Sequence, residues 1–306
     1  MEAKPLNELN RVLVINDSLD GLDIALKKAA LLEHYTGCDI EVAEVLWDSV
    51  ADEPLSDTVK EALIQGLIRA EQQDLNAIVA PYENRVATAE ARILWDKSSN
   101  EAIAREIAEQ SVDLVIKPMG AHGLKDFLST PLDWQLIRDA DCPVLISKNS
   151  SWETGGCVLA AVDVQASHRV LNHAVLNAAE FIARTLDAEL HVVTVCPEVS
   201  ATISERHIEL DPGNLQDELL ETRHQRLGDM VSDLTYEKIE THVLAGKPAE
   251  VIPTLAASLD VTITTVGTHS RSGIDKLLLG NTAEKVLAKI PGDVLTIRPH
   301  YQRESA

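Results

Sequence analysis

Short apolar runs alternate with amphipathic segments along the whole chain. Near the start, the run Val12 to Ile15 leads into Asp17. A continuous apolar run of this length is typical of a strand that is buried on both faces of a parallel sheet. In the second half, apolar residues recur at three- and four-residue spacing behind Ser167, which predicts a buried helix face with a serine cap. These residues are Leu171, Ala174, Val175, Ala178, Ala179, Ile182 and Leu186.

The same pattern occurs twice, with an offset of about 146 residues. In the first half it predicts strands at 12–17, 40–46, 86–94, 113–116 and 143–146. In the second half it predicts strands at 158–163, 190–196, 239–244, 261–266 and 294–297. Acidic stretches at 48–61 and 198–221 are expected to lead into helices. Strands that alternate with helices of this length predict right-handed βαβ units.

We therefore expect an α/β fold with two tandem, doubly wound, five-stranded parallel sheets. The predicted domains are residues 1–150 and 151–306. The segment that joins them, Lys148 to Gly156, is short and rich in Ser and Gly. Two domains joined by so few residues are predicted to pack together.

The charge balance excludes some classes of partner. The 306 residues include 27 Lys and Arg against 49 Asp and Glu, which gives a formal net charge of -22. Binding to nucleic acid or to an anionic membrane depends on Lys and Arg, so non-specific nucleic-acid binding is not expected.

Apolar runs stay far below the ~20 residues of a membrane span, and no apolar leader follows the N-terminus. We expect a cytoplasmic protein without membrane insertion.

A glycine-rich loop follows the fourth predicted strand of the second half. It begins at Gly267 and leads into a predicted helix. Glycine allows phosphate oxygens to approach the backbone, and free N–H groups at a helix start favour an anion. The candidate phosphate-binding residues are Gly267, His269, Ser270, Arg271, Gly273, Gly280, Asn281 and Thr282. The alternative is that the glycines form turns and that Asn281 or Thr282 caps the helix.

Two further residues are predicted to lie at the same edge of the sheet. Asp163 ends the first strand of the second half, and Val195 lies near the end of the second strand. In open parallel sheets, ligands bind beyond the carboxyl ends of the strands. An aspartate there accepts a hydrogen bond from a ribose hydroxyl or an adenine amine, or it begins the following turn. The sequence alone leaves both roles open.

No spacing in the chain indicates a metal site or a nucleophile. His168 and His173 are five residues apart, whereas a helical metal pair is four apart. A zinc site that uses dispersed His, Asp and Cys residues stays open. The sequence places no general base or nucleophile beside the loop, so we predict no catalytic residues.

Several motifs give the chain a resemblance to the universal stress protein family, in two tandem copies. They are the aspartate that ends each first strand, the segment Ser129 to Trp134, the segment Arg271 to Ile274 and the segment Leu279 to Glu284. The resemblance implies a strand order of 3-2-1-4-5, ATP at the switch point between strands 1 and 4, and pairing of the two domains through their fifth strands as a pseudo-dimer.

The resemblance also implies roles for single residues. Asp163 and Val195 would face the adenosine, whereas Gly267, Ser270, Gly280 and Asn281 would line the phosphates. Ser270 and Asn281 depart from the family motif, which has Gly and Ser or Thr at these positions. The first copy departs further: Gly120 to Gly123 matches the start of the loop, but the spacer is shorter and Pro131 removes an N–H donor. We predict that the first copy no longer holds a triphosphate.

The leading functional prediction is a stress-response protein whose second domain binds ATP or a related nucleotide, with Mg²⁺. It would act as a sensor or regulator with little or no turnover. The alternatives are a non-nucleotide interaction protein or small-ligand carrier, and a slow ATPase. A monomeric pseudo-dimer and a homodimer both stay open.

Overall fold

The computed structural model describes residues 6, 8–17, 21–83, 89–119, 131–148, 150–199, 212–268 and 285–298. The chain divides into two compact units, which we name by their place in the sequence. The N-terminal unit spans Glu8–Ser151, and the C-terminal unit begins at Trp152. Each unit alternates strands and helices, as the sequence predicts.

The N-terminal unit has five strands and four helices within the described residues. In chain order they are β1 (Arg11–Asn16), α1 (Leu22–Thr36), β2 (Asp39–Leu46), a 3-10 turn (Ser49–Asp52), α2 (Asp57–Glu83), β3 (Ala89–Trp95), α3 (Ser99–Glu109), β4 (Leu114–Pro118), α4 (Pro131–Asp139) and β5 (Val144–Ser147). The helix α2 begins inside the first acidic stretch, as expected.

The C-terminal unit repeats this order. Its elements are β6 (Cys157–Ala161), a 3-10 turn (Ala166–His168), α5 (Arg169–Leu186), β7 (Glu189–Cys196), α6 (Pro212–Val231), β8 (Ile239–Ala245), α7 (Pro248–Ser258), β9 (Ile263–Gly267) and β10 (Asp293–Ile297). A further helical stretch covers residues 285–287. All ten predicted strands are present, with ends shifted by a few residues.

The strands pair in parallel, in the same order in both units. The N-terminal sheet runs β3-β2-β1-β4-β5. The C-terminal sheet runs β8-β7-β6-β9-β10. Each is a strand order of 3-2-1-4-5, so the predicted α/β architecture is confirmed. The reversal of strand order lies between β1 and β4, and between β6 and β9.

The apolar pattern explains how the helices pack. The seven residues predicted to form the buried face of α5 are all buried. This helix packs against β6 and β9. The prediction of a Ser167 cap is wrong: Ser167 lies in the preceding 3-10 turn, and the N-cap residue is His168, without a side-chain cap hydrogen bond. The cap position shifts because the 3-10 turn adds residues between β6 and the helix.

The two central strands carry the core of each unit. Val12, Leu13, Val14, Leu114 and Ile116 are fully buried in β1 and β4. Strands buried on both faces hold the carboxyl ends of the sheet rigidly in place.

Among the helices that the structure describes, none combines the length and apolar character that a membrane span requires.

Candidate functional site

Three predicted site residues lie at one edge of the C-terminal sheet. In the sheet register, Ala161 of β6 is opposite Val193 of β7 and Val266 of β9. Two residues further along, Asp163 and Val195 reach the carboxyl end of the sheet, and Gly267 ends β9. The register therefore brings Asp163, Val195 and Gly267 to the place where strand order reverses. We call this edge the C-terminal crevice.

The carboxylate of Asp163 is half-exposed and held in place by its neighbours. One carboxylate oxygen accepts a hydrogen bond from the backbone N–H of Gln165 at 3.2 Å. The other lies 3.1 Å from Nδ1 of His168. The side chain keeps 43% of its surface exposed, so it retains acceptor capacity toward the crevice.

Two further side chains fix Asp163 from the helices. The amide of Asn172 on α5 is hydrogen-bonded to the Asp163 backbone in both directions: its oxygen accepts from the backbone N–H at 3.2 Å, and its nitrogen donates to the backbone carbonyl. Nη1 of Arg223 on α6 lies 3.9 Å from the Asp163 carboxylate, and its side chain is only 15% exposed. The crevice thus combines an aspartate with a partly buried cation.

Gly267 and Val195 contribute shape and not charge. A side chain at position 267 would lie 2.6 Å from Cδ2 of Leu171, so the glycine is required by the packing of α5 against the end of β9. Val195 is half-buried in β7, in register with Leu244 of β8. Both roles are compatible with an apolar wall of a ligand site.

The other predicted site residues lie outside the described residues. They are His269, Ser270, Arg271, Gly273, Gly280, Asn281 and Thr282. Their assignment to the phosphate groups stays a prediction from the sequence.

The equivalent edge of the N-terminal sheet contains a buried lysine. Lys117 occupies the position in β4 that Val266 occupies in β9. Its ammonium lies 2.7 Å from Asp17 and 3.1 Å from Asp133 of α4, and it donates to the Pro118 carbonyl at 2.8 Å. Its side chain is 1% exposed. Asp17, the aspartate that corresponds to Asp163, is thus paired with a cation from the same unit.

The register corrects one detail of the sequence comparison. Pro118 pairs with Ser147, as Gly267 pairs with Ile297. Pro118 therefore occupies the position of Gly267, which the sequence comparison gave to Gly120. Gly120 stands two positions after Pro118 in the sequence. Aligning Gly120 with Gly267 therefore shifted the first copy by two residues.

Four residues that shape the C-terminal crevice and the equivalent edge of the N-terminal sheet were not predicted from the sequence. They are Lys117, His168, Asn172 and Arg223. A lysine inside the apolar run of β4 is the one signal that the sequence offers, because buried lysines require partners. Arg223 comes from a helix 60 residues after Asp163, so no local pattern connects the two.

The comparisons with known proteins agree with this architecture. The model of the universal stress protein family matches residues 8–148 and 157–298. The chain is 30% identical over 301 residues to universal stress protein E of Escherichia coli K12, covering 96% of this chain and 95% of the relative.

Solved structures extend the same likeness. A functionally unknown protein from Pseudomonas aeruginosa PAO1 is 28% identical, with a TM-score of 0.69 over 96% of this chain and 94% of its own. A universal stress protein from Archaeoglobus fulgidus shares the fold at 17% identity, with a TM-score of 0.65 over 96% of this chain and 98% of its own. With two family matches that cover nearly the whole sequence, and with the strand order found in both units, the chain belongs to the universal stress protein family.

Proposed function

We propose that the C-terminal unit binds ATP or a related nucleotide in the C-terminal crevice, and that the protein acts as a sensor or regulator with little or no turnover. ATP is the ligand that the family resemblance implies, with Mg²⁺ on the phosphates. The observation that carries the proposal is Asp163, a half-exposed carboxylate held at the strand reversal beside the end of β9.

The surroundings of Asp163 support the adenosine side of such a site. Its carboxylate is fixed by Gln165 and His168, so a ribose hydroxyl would meet an acceptor that needs little reorganisation. Val195 offers an apolar surface on the neighbouring strand. The guanidinium of Arg223 adds positive charge beside the crevice of a strongly acidic chain, which favours an anionic ligand.

The contrast with the N-terminal unit supports placing the ligand in only one unit. There, the Lys117 ammonium already pairs with Asp17 and Asp133. A nucleotide would have to displace a buried ion pair, which is costly because the charges left behind would be unpaired. We therefore propose one nucleotide per chain.

A thermal-shift titration with Mg-ATP tests the proposal on the full chain. A ligand at a hundredfold its Kd stabilises the folded state by ~2.7 kcal/mol, which raises the melting temperature. Asp163→Asn keeps the shape of the side chain and removes its charge, so it should weaken binding about tenfold, the loss of one charge-assisted hydrogen bond. Asp229→Asn, an equal charge change at an exposed position on α6, should bind like the wild type.

A second variant tests the loop that the sequence singles out. Gly280→Val adds a branched side chain at a glycine of the family motif and should abolish binding. If saturating Mg-ATP leaves the melting temperature of the wild type unchanged, the proposal fails.

Two further measurements distinguish the alternatives. Protein purified without added nucleotide is heat-denatured, and the supernatant is analysed by ion-exchange chromatography; recovered nucleotide supports the proposal, whereas a different small molecule favours a carrier. Phosphate release should stay at the background rate. A rate above background that Asp163→Ala lowers would make the protein a slow ATPase.

A further inference from the structure

A second cluster of polar side chains lies at the opposite edge of the C-terminal sheet, where the strands begin. His191 of β7 is in register with Glu240 of β8, and His242 follows two residues after Glu240. Side chains two residues apart on a strand point to the same face, and so do parallel neighbours in register. The sheet therefore presents His191, Glu240 and His242 together, although 51 residues separate the two histidines.

The donor atoms of these three side chains converge. Nδ1 of His191 lies 2.8 Å from Nε2 of His242 and 3.8 Å from a carboxylate oxygen of Glu240. One ligand atom from each residue lies within 4.8 Å of the others. The His191 side chain is 5% exposed, whereas Glu240 is 67% exposed, so the group is anchored in the sheet and open to solvent on one side.

Glu189 occupies the other side of the His191 ring. Its carboxylate lies 3.6 Å from Nε2, the nitrogen that points away from His242. A carboxylate beside the second nitrogen of an imidazole favours the proton on that nitrogen and leaves the lone pair of the first available. The arrangement thus directs the Nδ1 lone pair of His191 toward His242 and Glu240.

The same positions of the N-terminal sheet hold two arginines and a glutamate. The strand registers match Arg11, Glu41 and Arg92 with Cys157, His191 and His242. In that unit, guanidinium groups lie 3.9 Å and 3.6 Å from the buried Glu41 carboxylate. Arginine is not a metal ligand, because its guanidinium stays protonated. In the C-terminal unit both arginine positions hold residues that can ligate a metal.

We propose that His191, Glu240 and His242 form a binding site for a divalent transition-metal ion of the zinc class. Two imidazoles and one carboxylate are a ligand set that zinc uses with a water molecule in the fourth position. Glu189 is a positioning residue that holds the His191 ring through its second nitrogen.

The geometry needs only a small adjustment to accept the ion. Two nitrogens at zinc bond lengths in a tetrahedral arrangement are roughly 3.3 Å apart. The His191 and His242 nitrogens, at 2.8 Å, would separate by about half an ångström. The proton that His242 Nε2 donates to His191 moves to Nδ1 of His242 through solvent, so both rings bind as neutral ligands.

Calorimetric titration of the nucleotide-free full chain with ZnCl₂ tests the site. The wild type should bind one Zn²⁺ at this site, and Mg²⁺ should not compete, because Mg²⁺ prefers oxygen ligands. His242→Gln should weaken zinc binding at least about a hundredfold, and Glu189→Gln about tenfold. His224→Gln, at an exposed histidine on α6, is the matched control and should bind like the wild type.

The folded state of each variant is checked by circular dichroism without metal. His242 is half-buried, so His242→Gln is preferred over a change at the buried His191. Mg-ATP binding should be the same in His242→Gln and the wild type, which separates this site from the C-terminal crevice. Zinc binding that is absent in the wild type, or unchanged in a folded His242→Gln variant, would overturn the proposal.

Discussion

The two units share one strand order and one register, but they differ at both edges of the sheet. At the edge formed by the carboxyl ends of the strands, the carboxyl edge, the N-terminal unit has Lys117 where the C-terminal unit has Val266. At the opposite edge, where the strands begin, the amino edge, the N-terminal unit has Arg92 where the C-terminal unit has His242. In both places a strand of the N-terminal unit carries a cation and the corresponding strand of the C-terminal unit does not; the cation near Asp163, Arg223, comes from helix α6 at 3.9 Å.

This difference shows how the same strand order can give either a site whose carboxylate is paired within the unit or a site that can bind a ligand. A carboxylate that is paired with a buried cation is satisfied inside the unit, and displacing that cation is costly. Where the strand itself carries no such cation, the same sheet positions leave acceptor and donor atoms for a ligand from outside. The apolar strands fix where these sheet positions lie. A few charged residues determine whether a cation of the unit or a ligand from outside occupies them.

The largest expected effect comes from removing the cation at the N-terminal carboxyl edge. Lys117→Met should destabilise the protein by about 3–5 kcal/mol, because it removes the buried ammonium that pairs with the buried Asp133 carboxylate. Chemical denaturation measures this change. Lys97→Met removes an exposed lysine whose ion pair with Asp52 is open to solvent, and it should cost at most about 1 kcal/mol. Equal effects of the two changes would contradict the role given to Lys117.

The reverse change converts the C-terminal crevice toward the N-terminal type. Val266→Lys introduces an ammonium at a buried position beside Asp163 and, given the proposed function, should lower the affinity for Mg-ATP at least about a hundredfold, or ~2.7 kcal/mol. Val170→Lys, the same substitution at an exposed position of α5, should leave the affinity unchanged. Unfolding curves without nucleotide check that both variants fold; a folded Val266→Lys variant that binds like the wild type would refute the comparison.

The amino edge of the N-terminal unit predicts a pH dependence. Burial and the neighbouring Glu106 raise the pKa of Glu41 from 4.5 to about 7. Between these two values the folded state keeps a proton that the unfolded state has released, so stability falls as pH rises. Glu41→Gln removes this effect. Its stability relative to the wild type should therefore increase by roughly 1–3 kcal/mol between pH 5 and 8.

Melting curves of both proteins across this pH range measure the difference. Glu90→Gln, at an exposed carboxylate of the same cluster, is the control. The interpretation is wrong if both variants show the same pH dependence.

The smallest expected effect concerns the helix ends. After α1, Gly37 has a left-handed φ of 72°, and after α5 the equivalent Asp187 has a φ of 53°. Gly37→Ala should destabilise by about 1 kcal/mol through backbone strain, because no atom lies close enough to clash. Gly66→Ala, inside α2 and also without close neighbours, should instead stabilise by about 0.5–1 kcal/mol. Denaturation midpoints distinguish the opposite signs.

Part of the candidate site could be predicted from the sequence. Asp163, Val195 and Gly267 follow directly after apolar runs, and the carboxyl ends of parallel strands meet at one edge, so their proximity follows from the strand order. The contacts of Asp163 with Asn172 and Arg223 could not be predicted, because they depend on how α5 and α6 are rotated against the sheet.

The cluster at the amino edge illustrates the same limit more strongly. His191 and His242 lie on neighbouring strands that are joined by a long crossover, and a shift of one residue in register would point the two rings to opposite faces. No spacing along the chain records that register.

By itself, the sequence determined the duplication, the ten strands, their order through the family resemblance, and the edge where a ligand is expected, because these depend on apolar periodicity and on chain connectivity. Only the tertiary structure decided which charged groups meet. It placed Lys117 between Asp17 and Asp133, and it brought His191 next to His242, because such contacts depend on register and side-chain direction across strands that are distant in the chain.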